Sequence, residues 1–342
     1  VRAALEADPA DVAALALDER LASVDLSRML LLDTETTGLA GGTGTLPFVV
    51  GLAWFEGESL RVQQFLLRRP GEEGPILRHF EERLAASSCL VTYNGKTFDW
   101  PLLKSRFVMN RLPVPRALPH LDLLHCARRV FRHRTGGAKL VHLEEHVLGH
   151  VRVGDVPGAD IPELYFRYLR NGNGSLLTPV LDHNAQDMAL LPALLGVIAR
   201  QFRASGREGD PRDQLGYAQV ATRARDYDRA LAFARAAASS GGRELSAEAL
   251  ALASSLSRRN GESQEAIALL ERALGLAGKE AAPSLHLELS KLYEHRARDL
   301  GRALQHARHT APAEGTEAQA KRIARLERKL SRRDGTLPLL TR

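Results

Sequence analysis

The pattern of apolar and polar positions changes character twice along the chain. Val1–Leu5 and Ala10–Leu21 are rich in alanine and leucine and are broken by Asp8-Pro9, which predicts a helical segment or linker over residues 1–26. Met29-Leu30-Leu31-Leu32 is a short continuous apolar run, the pattern of a buried central strand. Phe48–Phe55 and Leu60–Leu67 read as two strands, and Glu56-Gly57-Glu58-Ser59 between them predicts a hairpin. A helix over Pro75–Ala86 and a short buried strand over Cys89–Tyr93 come next. Beyond Asn94, loops alternate with amphipathic segments at Trp100–Phe107, Leu121–Phe131, Leu140–Leu148 and Ile161–Arg170, and a last helix runs from Pro179 to about Phe202. Strands followed by interleaved helices predict an α/β domain over residues 27–204, a mixed sheet flanked by helices.

Ser205-Gly-Arg-Glu-Gly-Asp-Pro211 punctuates the chain and predicts a linker over 205–212. After it the strand patterns stop: residues 213–333 read as helical throughout, with 334–342 as a tail. Segments beginning at Tyr227, Ser263 and Leu300 align with one another, and their matched alanines Ala230, Ala266 and Ala303 lie 36 and 37 residues apart. A small residue at that position lets two helices approach closely. The pattern resembles tetratricopeptide repeats, whose period is ~34 residues; an alanine-rich helical bundle is the other arrangement that fits.

Composition narrows the class. The 342 residues are 44% hydrophobic and 26% charged, enough to build two folded domains. Apolar runs such as Leu46–Ala53 are too short to span a bilayer, and no basic-then-apolar leader precedes them, so a cytoplasmic protein without membrane association is expected. Cys89 and Cys126 lack metal-binding spacing and sit among apolar residues, as core thiols do. The formal charge of +6 is uneven: residues 211–342 carry 23 Lys and Arg against 16 Asp and Glu, whereas residues 1–210 carry 24 against 25. A basic helical module beside a nearly neutral domain is compatible with a polyanionic partner and equally with a solvated surface.

The candidate chemistry lies in carboxylates at the ends of elements. Asp33 and Glu35, at i and i+2 on the first strand, point to one face. Two like charges there repel unless a cation joins them; a lone pair of this kind also fits a capped turn beside a solvated carboxylate. Asp99 follows the strand Cys89–Tyr93 and can meet Asp33 and Glu35, or cap the helix that begins with Trp100-Pro101. His183 and Asp187, at i and i+4, share a face of the last helix of the domain. Asp122 is a fifth carboxylate, whose expected role is helix capping.

Taken together, Asp33-Thr-Glu-Thr-Thr-Gly-Leu39, then Asn94-x-x-x-Phe98-Asp99, then His183-x-x-x-Asp187 resemble the three motifs of the DEDD superfamily of 3′–5′ exonucleases. The Gly-rich stretch Gly41–Thr45, Tyr93–Asp99, Leu121-Asp122 and the helical repeats are similar to the YprB-type RNase-H-like family of bacterial proteins. The resemblance implies an RNase-H-like domain in which Asp33, Glu35, Asp99 and Asp187 hold two divalent cations, Mg²⁺ or Mn²⁺, and His183 takes a proton from water. It also implies that Thr36, Thr37, Gly38 and Leu39 seat the terminal nucleotide, with Asn94 and Phe98 near the substrate. One departure stands out. In the histidine branch of the superfamily the histidine precedes the last aspartate by five positions; here the separation is four, as in the tyrosine branch.

The expected partner is nucleic acid, DNA or RNA, with an accessible single-stranded 3′ end, and the tetratricopeptide-like repeats are a candidate surface for a protein partner. Lys96 is a candidate phosphate contact and, equally, a solvated loop lysine. The basic run Lys321–Arg333 fits either a backbone-tracking surface or the solvated face of a terminal helix. A structure-selective endonuclease and a catalytically inactive scaffold acting through the repeats are the rival functions.

Overall fold

The computed structural model describes residues 2–38, 44–240 and 242–333. Its contacts group the chain into two units, Val1–Ala204 and Ser205–Arg342. No helix among the described residues is long and apolar enough to cross a membrane.

The first unit is built on a five-stranded sheet of β1 (Met29–Thr36), β2 (Pro47–Glu56), β3 (Ser59–Leu66), β4 (Cys89–Thr92) and β5 (His120–Asp122), in the order β3-β2-β1-β4-β5. β2 pairs antiparallel with both β1 and β3, whereas β4 and β5 run parallel to β1. The mixed sheet with flanking helices agrees with the expected RNase-H-like architecture. β5 is an addition: Leu121 was expected in an amphipathic segment, but three residues buried on both sides are too few to display a period of their own.

Parallel pairing brings the C-terminal ends of β1, β4 and β5 to one edge, which is where the motif residues lie. Alternation along β1 then divides its side chains. Leu30 and Leu32 join Val50, Leu52, Phe80 and Phe107 in the core under α1 (Glu73–Ala85) and α2 (Asp99–Met109). Asp33 and Glu35 belong to the opposite face, toward α3 (Thr178–Ala204). Along α3 the buried residues Val180, Asn184, Met188, Leu191, Leu195, Ile198 and Phe202 recur every three or four positions, the stripe that holds a helix against a sheet. Arg106 and Glu73, both nearly inaccessible, pair through Arg106 Nε and Glu73 Oε1 at 2.5 Å and tie α2 to α1. The N-terminal residues are helical over Pro9–Ala16, and Ala4, Val12 and Leu15 are buried within this same unit.

In the second unit the helices α4 (Pro211–Arg223), α5 (Tyr227–Ser240), α6 (Arg243–Arg259), α7 (Ser263–Leu276), α8 (Ala282–Leu292), α9 (Leu300–Ala307) and α10 (Thr316–Arg333) follow one another through short turns. Ala230, Ala266 and Ala303 lie on α5, α7 and α9, and each is fully buried. Ser254 Oγ donates to Ala266 O at 2.6 Å and Ser290 Oγ to Ala303 O at 2.9 Å, the same bond repeated from one helix pair to the next.

Candidate active site

Each motif residue is held by a local device. Asp33 pairs across the sheet with Gly51. The side chain of Asn184, fully buried on α3, lies over that glycine; a Cβ on Gly51 would stand 2.2 Å from Asn184 Oδ1. Asn184 Nδ2 donates to Asp33 Oδ2 at 2.7 Å, and Gln64 Nε2 donates to Asn184 Oδ1 at 2.9 Å, fixing the amide's orientation. Neither Asn184 nor Gln64 was singled out from the sequence. The signal was a polar residue interrupting the apolar stripe of α3.

Asp99 arrives from the other side of the sheet. It is the first residue of α2, with Phe98 rather than Asp99 in the capping position, and its carboxylate accepts a hydrogen bond from Thr34 Oγ1, both groups buried. The loop that carries it is pinned by Asp122. This buried carboxylate accepts from the backbone N–H groups of Asn94 at 2.8 Å, Lys96 at 3.0 Å and Leu124 at 3.1 Å. Asp122 therefore caps the helix Leu123–Val130 and also braces the motif loop. Gly95 must lack a side chain, since a Cβ would meet Thr92 Cβ at 2.5 Å. Asn94 has φ 69° and its Oδ1 accepts from Thr97 Oγ1 at 2.8 Å, so its local work is to turn the chain. Phe98 is half-buried, and Lys96 Nζ lies 3.8 Å from Asp18 Oδ2.

At the end of β1, Thr36 Oγ1 donates to Gly38 O at 2.8 Å, and Leu46 N donates to Thr37 Oγ1 at 3.0 Å. These bonds close the base of the Gly-rich stretch. Leu39 and Gly41–Thr43 lie outside the described residues.

His183 and Asp187 do share a face of α3, but their partners come from a loop absent from the sequence motifs. His183 Nδ1 is 2.8 Å from Asp155 Oδ1, and His183 Nε2 is 3.7 Å from Asp187 Oδ2. Arg152, whose side chain is only 4% exposed, reaches Glu144 Oε2 at 2.6 Å, Asp155 Oδ2 at 3.0 Å and Asp187 Oδ1. Burial alone would lower the guanidinium pKa, but Asp187 and Glu144 outweigh it and raise it. Burial likewise pushes Asp155 up, and its bonds to His183 and Arg152 more than reverse that, leaving it lowered.

The carboxylates on the sheet side behave in the opposite way. Asp33 keeps a partly exposed side chain, yet the protein packed around it withdraws enough water to raise its pKa well above the usual range, and the charges of Asp187, Glu35 and Asp99 add to the effect. Burial pushes Glu35 up to about 7 and Asp99 to about 6. Oxygen donors crowded in this way suit a hard divalent cation, which removes the repulsion. Among the described residues, however, no three His, Cys, Asp or Glu groups stand at coordinating distance, and Asp187 is paired with Arg152. The donor chemistry of the carboxylates fits a hard divalent cation.

Comparison with known proteins adds the following. Residues 30–199 match the family RNase_H_2 of the RNase_H superfamily. "Uncharacterized protein YprB" of Bacillus subtilis (strain 168) is 32% identical over 314 residues, covering 89% of this chain and 76% of that protein. Among solved structures, the family B DNA polymerase from the hyperthermophilic archaeon Pyrobaculum calidifontis aligns with 68% of this chain at 16% identity and a TM-score of 0.40, and only 29% of the polymerase chain is spanned.

Proposed function

Because the chain belongs to the RNase-H-like family of YprB, we propose that it is a metal-dependent nuclease, acting as a 3′–5′ exonuclease that releases 5′-mononucleotides. The supporting observation is the concentration of carboxylate charge at one end of the sheet, where Asp33 is raised by burial and then by Asp187, Glu35 and Asp99 together. Carboxylates raised together in this way mark a candidate functional site, and a bound cation would relieve their repulsion.

Asp33, Glu35, Asp99 and Asp187 would hold the cations. Bound there, two divalent ions supply Lewis acidity, lowering the pKa of water and offsetting charge on the leaving oxygen. Asn184 sets the direction of Asp33, and Thr34 does the same for Asp99. Asp155 at Nδ1 favours the His183 tautomer whose Nε2 lone pair accepts a proton from the attacking water. Thr36, Thr37, Gly38 and Leu39 would seat the terminal nucleotide, with Asn94 and Phe98 flanking it.

One observation favours the scaffold reading instead: Arg152 already neutralises Asp187. A single assay separates the two. The full chain is incubated with 5′-labelled single- and double-stranded DNA and RNA in Mg²⁺, Mn²⁺ or EDTA, beside Asp33→Ala. A metal-dependent ladder from the 3′ end, absent in the variant, is the expected result. One internal product would assign an endonuclease, and no cleavage under any condition would assign the scaffold.

A further inference from the structure

Within the second unit a cavity of about 950 Å³ opens between α6, α8, the turn Tyr293–Ala297 and α10. Its walls carry Arg258, Arg259, Lys291, Arg296, Arg322 and Arg325, and none of the lining residues is acidic. The usual explanation for such a run is mutual solvation or pairing with surface acids. The acids here lie partly beneath the cations. Glu294, whose side chain is fully inaccessible, holds Arg325 at 2.6 Å, and Glu314, 11% exposed, holds Arg322 through Nε at 2.9 Å and Nη2 at 2.7 Å. Glu288 receives both Arg258 at 3.1 Å and Lys291 at 2.7 Å. Three carboxylates therefore brace four of the six cations and leave an excess of positive charge facing the opening. Arg259 lies over the ring of Tyr227, 4.0 Å from its centroid, and neither Arg259 nor Arg296 has a carboxylate partner among the described residues.

We propose that this cavity binds the phosphate backbone of single-stranded nucleic acid, with the Arg259–Tyr227 stack as a platform for a base. Five of the six cations are arginines, whose planar forks match phosphate oxygens, and guanidinium and aromatic planes accept any base without reading it. An acidic peptide satisfies the charge but leaves the stacking platform unused. The choice of nucleic acid also rests on the nuclease reading of the first unit.

The test measures binding without cleavage. A fluorescein-labelled oligothymidylate and the matching oligouridylate are titrated with the full chain in EDTA, at salt between about 50 and 200 mM. Arg259→Glu/Arg296→Glu is compared with Arg272→Glu/Arg308→Glu, which makes the same charge change at exposed positions outside the cavity lining. The cavity variant is expected to bind at least about tenfold more weakly, with a salt slope reduced by about 1.4, about 0.7 for each lost phosphate contact. Arg259→Gln/Arg296→Gln, gentler on folding, should move in the same direction, and the control pair should be affected less. Equal losses in the cavity and control variants, or displacement of the oligonucleotide by oligoglutamate more readily than by unlabelled oligonucleotide, would overturn the proposal. Cleavage by the same proteins in Mn²⁺ keeps the two readings apart. Selective loss of binding without cleavage by any protein retires the nuclease and keeps this site, whereas cleavage with no selective loss does the reverse.

Discussion

Asn184 and Asp33 stand 151 positions apart and meet through a 2.7 Å hydrogen bond over the bare backbone of Gly51. Replacing Asn184 with Ala removes the group that aims the carboxylate. Turnover is expected to fall by about 10- to 100-fold, the usual effect of losing a partner behind a metal ligand. Steady-state kinetics check this, and Asn184→Asp, which places a further negative charge beside Asp33, should be the worse of the two.

Arg152→Ala tests whether the guanidinium competes with metal for Asp187. Calorimetric titration with Mn²⁺ should show tighter binding than in the unaltered protein. The metal-free variant should melt earlier, because Glu144, with a side chain 2% exposed, loses its closest cation; breaking a buried pair costs about 3–5 kcal/mol. Weaker Mn²⁺ binding would instead make Arg152 part of the frame that holds Asp187 in place.

Asp155→Asn should separate orientation from binding. His183 loses the carboxylate at its Nδ1, so kcat should drop at least tenfold with KM little changed. His183→Ala should lose most activity while Mn²⁺ binding, followed by calorimetry, persists. If His183→Ala retains its activity, His183 takes no proton.

Stability of the metal-free protein should depend on pH in a defined direction. Glu35 is raised to about 7 in the folded state and titrates near 4.5 when unfolded. Folding therefore favours its protonated form: the penalty is absent below pH 4.5, grows as pH rises, and is complete above about 7. Thermal melts in EDTA should show this contribution to stability declining across that window, and Mn²⁺ should raise the melting temperature most at its alkaline end.

Much of this architecture could be read from local pattern. The continuous apolar run Met29–Leu32 announces β1 as a buried strand, and the long stripe of α3 announces its buried face. The face shared by Asp33 and Glu35, and the one shared by His183 and Asp187, follow from strand and helix periods. Periods say nothing of Arg152 and Asp155, because they sit in an irregular loop and acquire meaning only when the chain folds back on α3. Asp99 shows a subtler limit. Spacing placed it beyond a strand end, but its partner is Thr34, on the face opposite Asp33 and Glu35. Asn184 was legible in principle, as the one amide in an otherwise apolar stripe.

The three amides that converge on Asp122 form a built-in clock. Asn94, Lys96 and Leu124 are tied to one inaccessible carboxylate, so their protons can trade with solvent only when that knot opens. Hydrogen–deuterium exchange at these positions thus times the breathing of the motif loop without touching a candidate ligand, and a substrate that grips the loop will slow all three together.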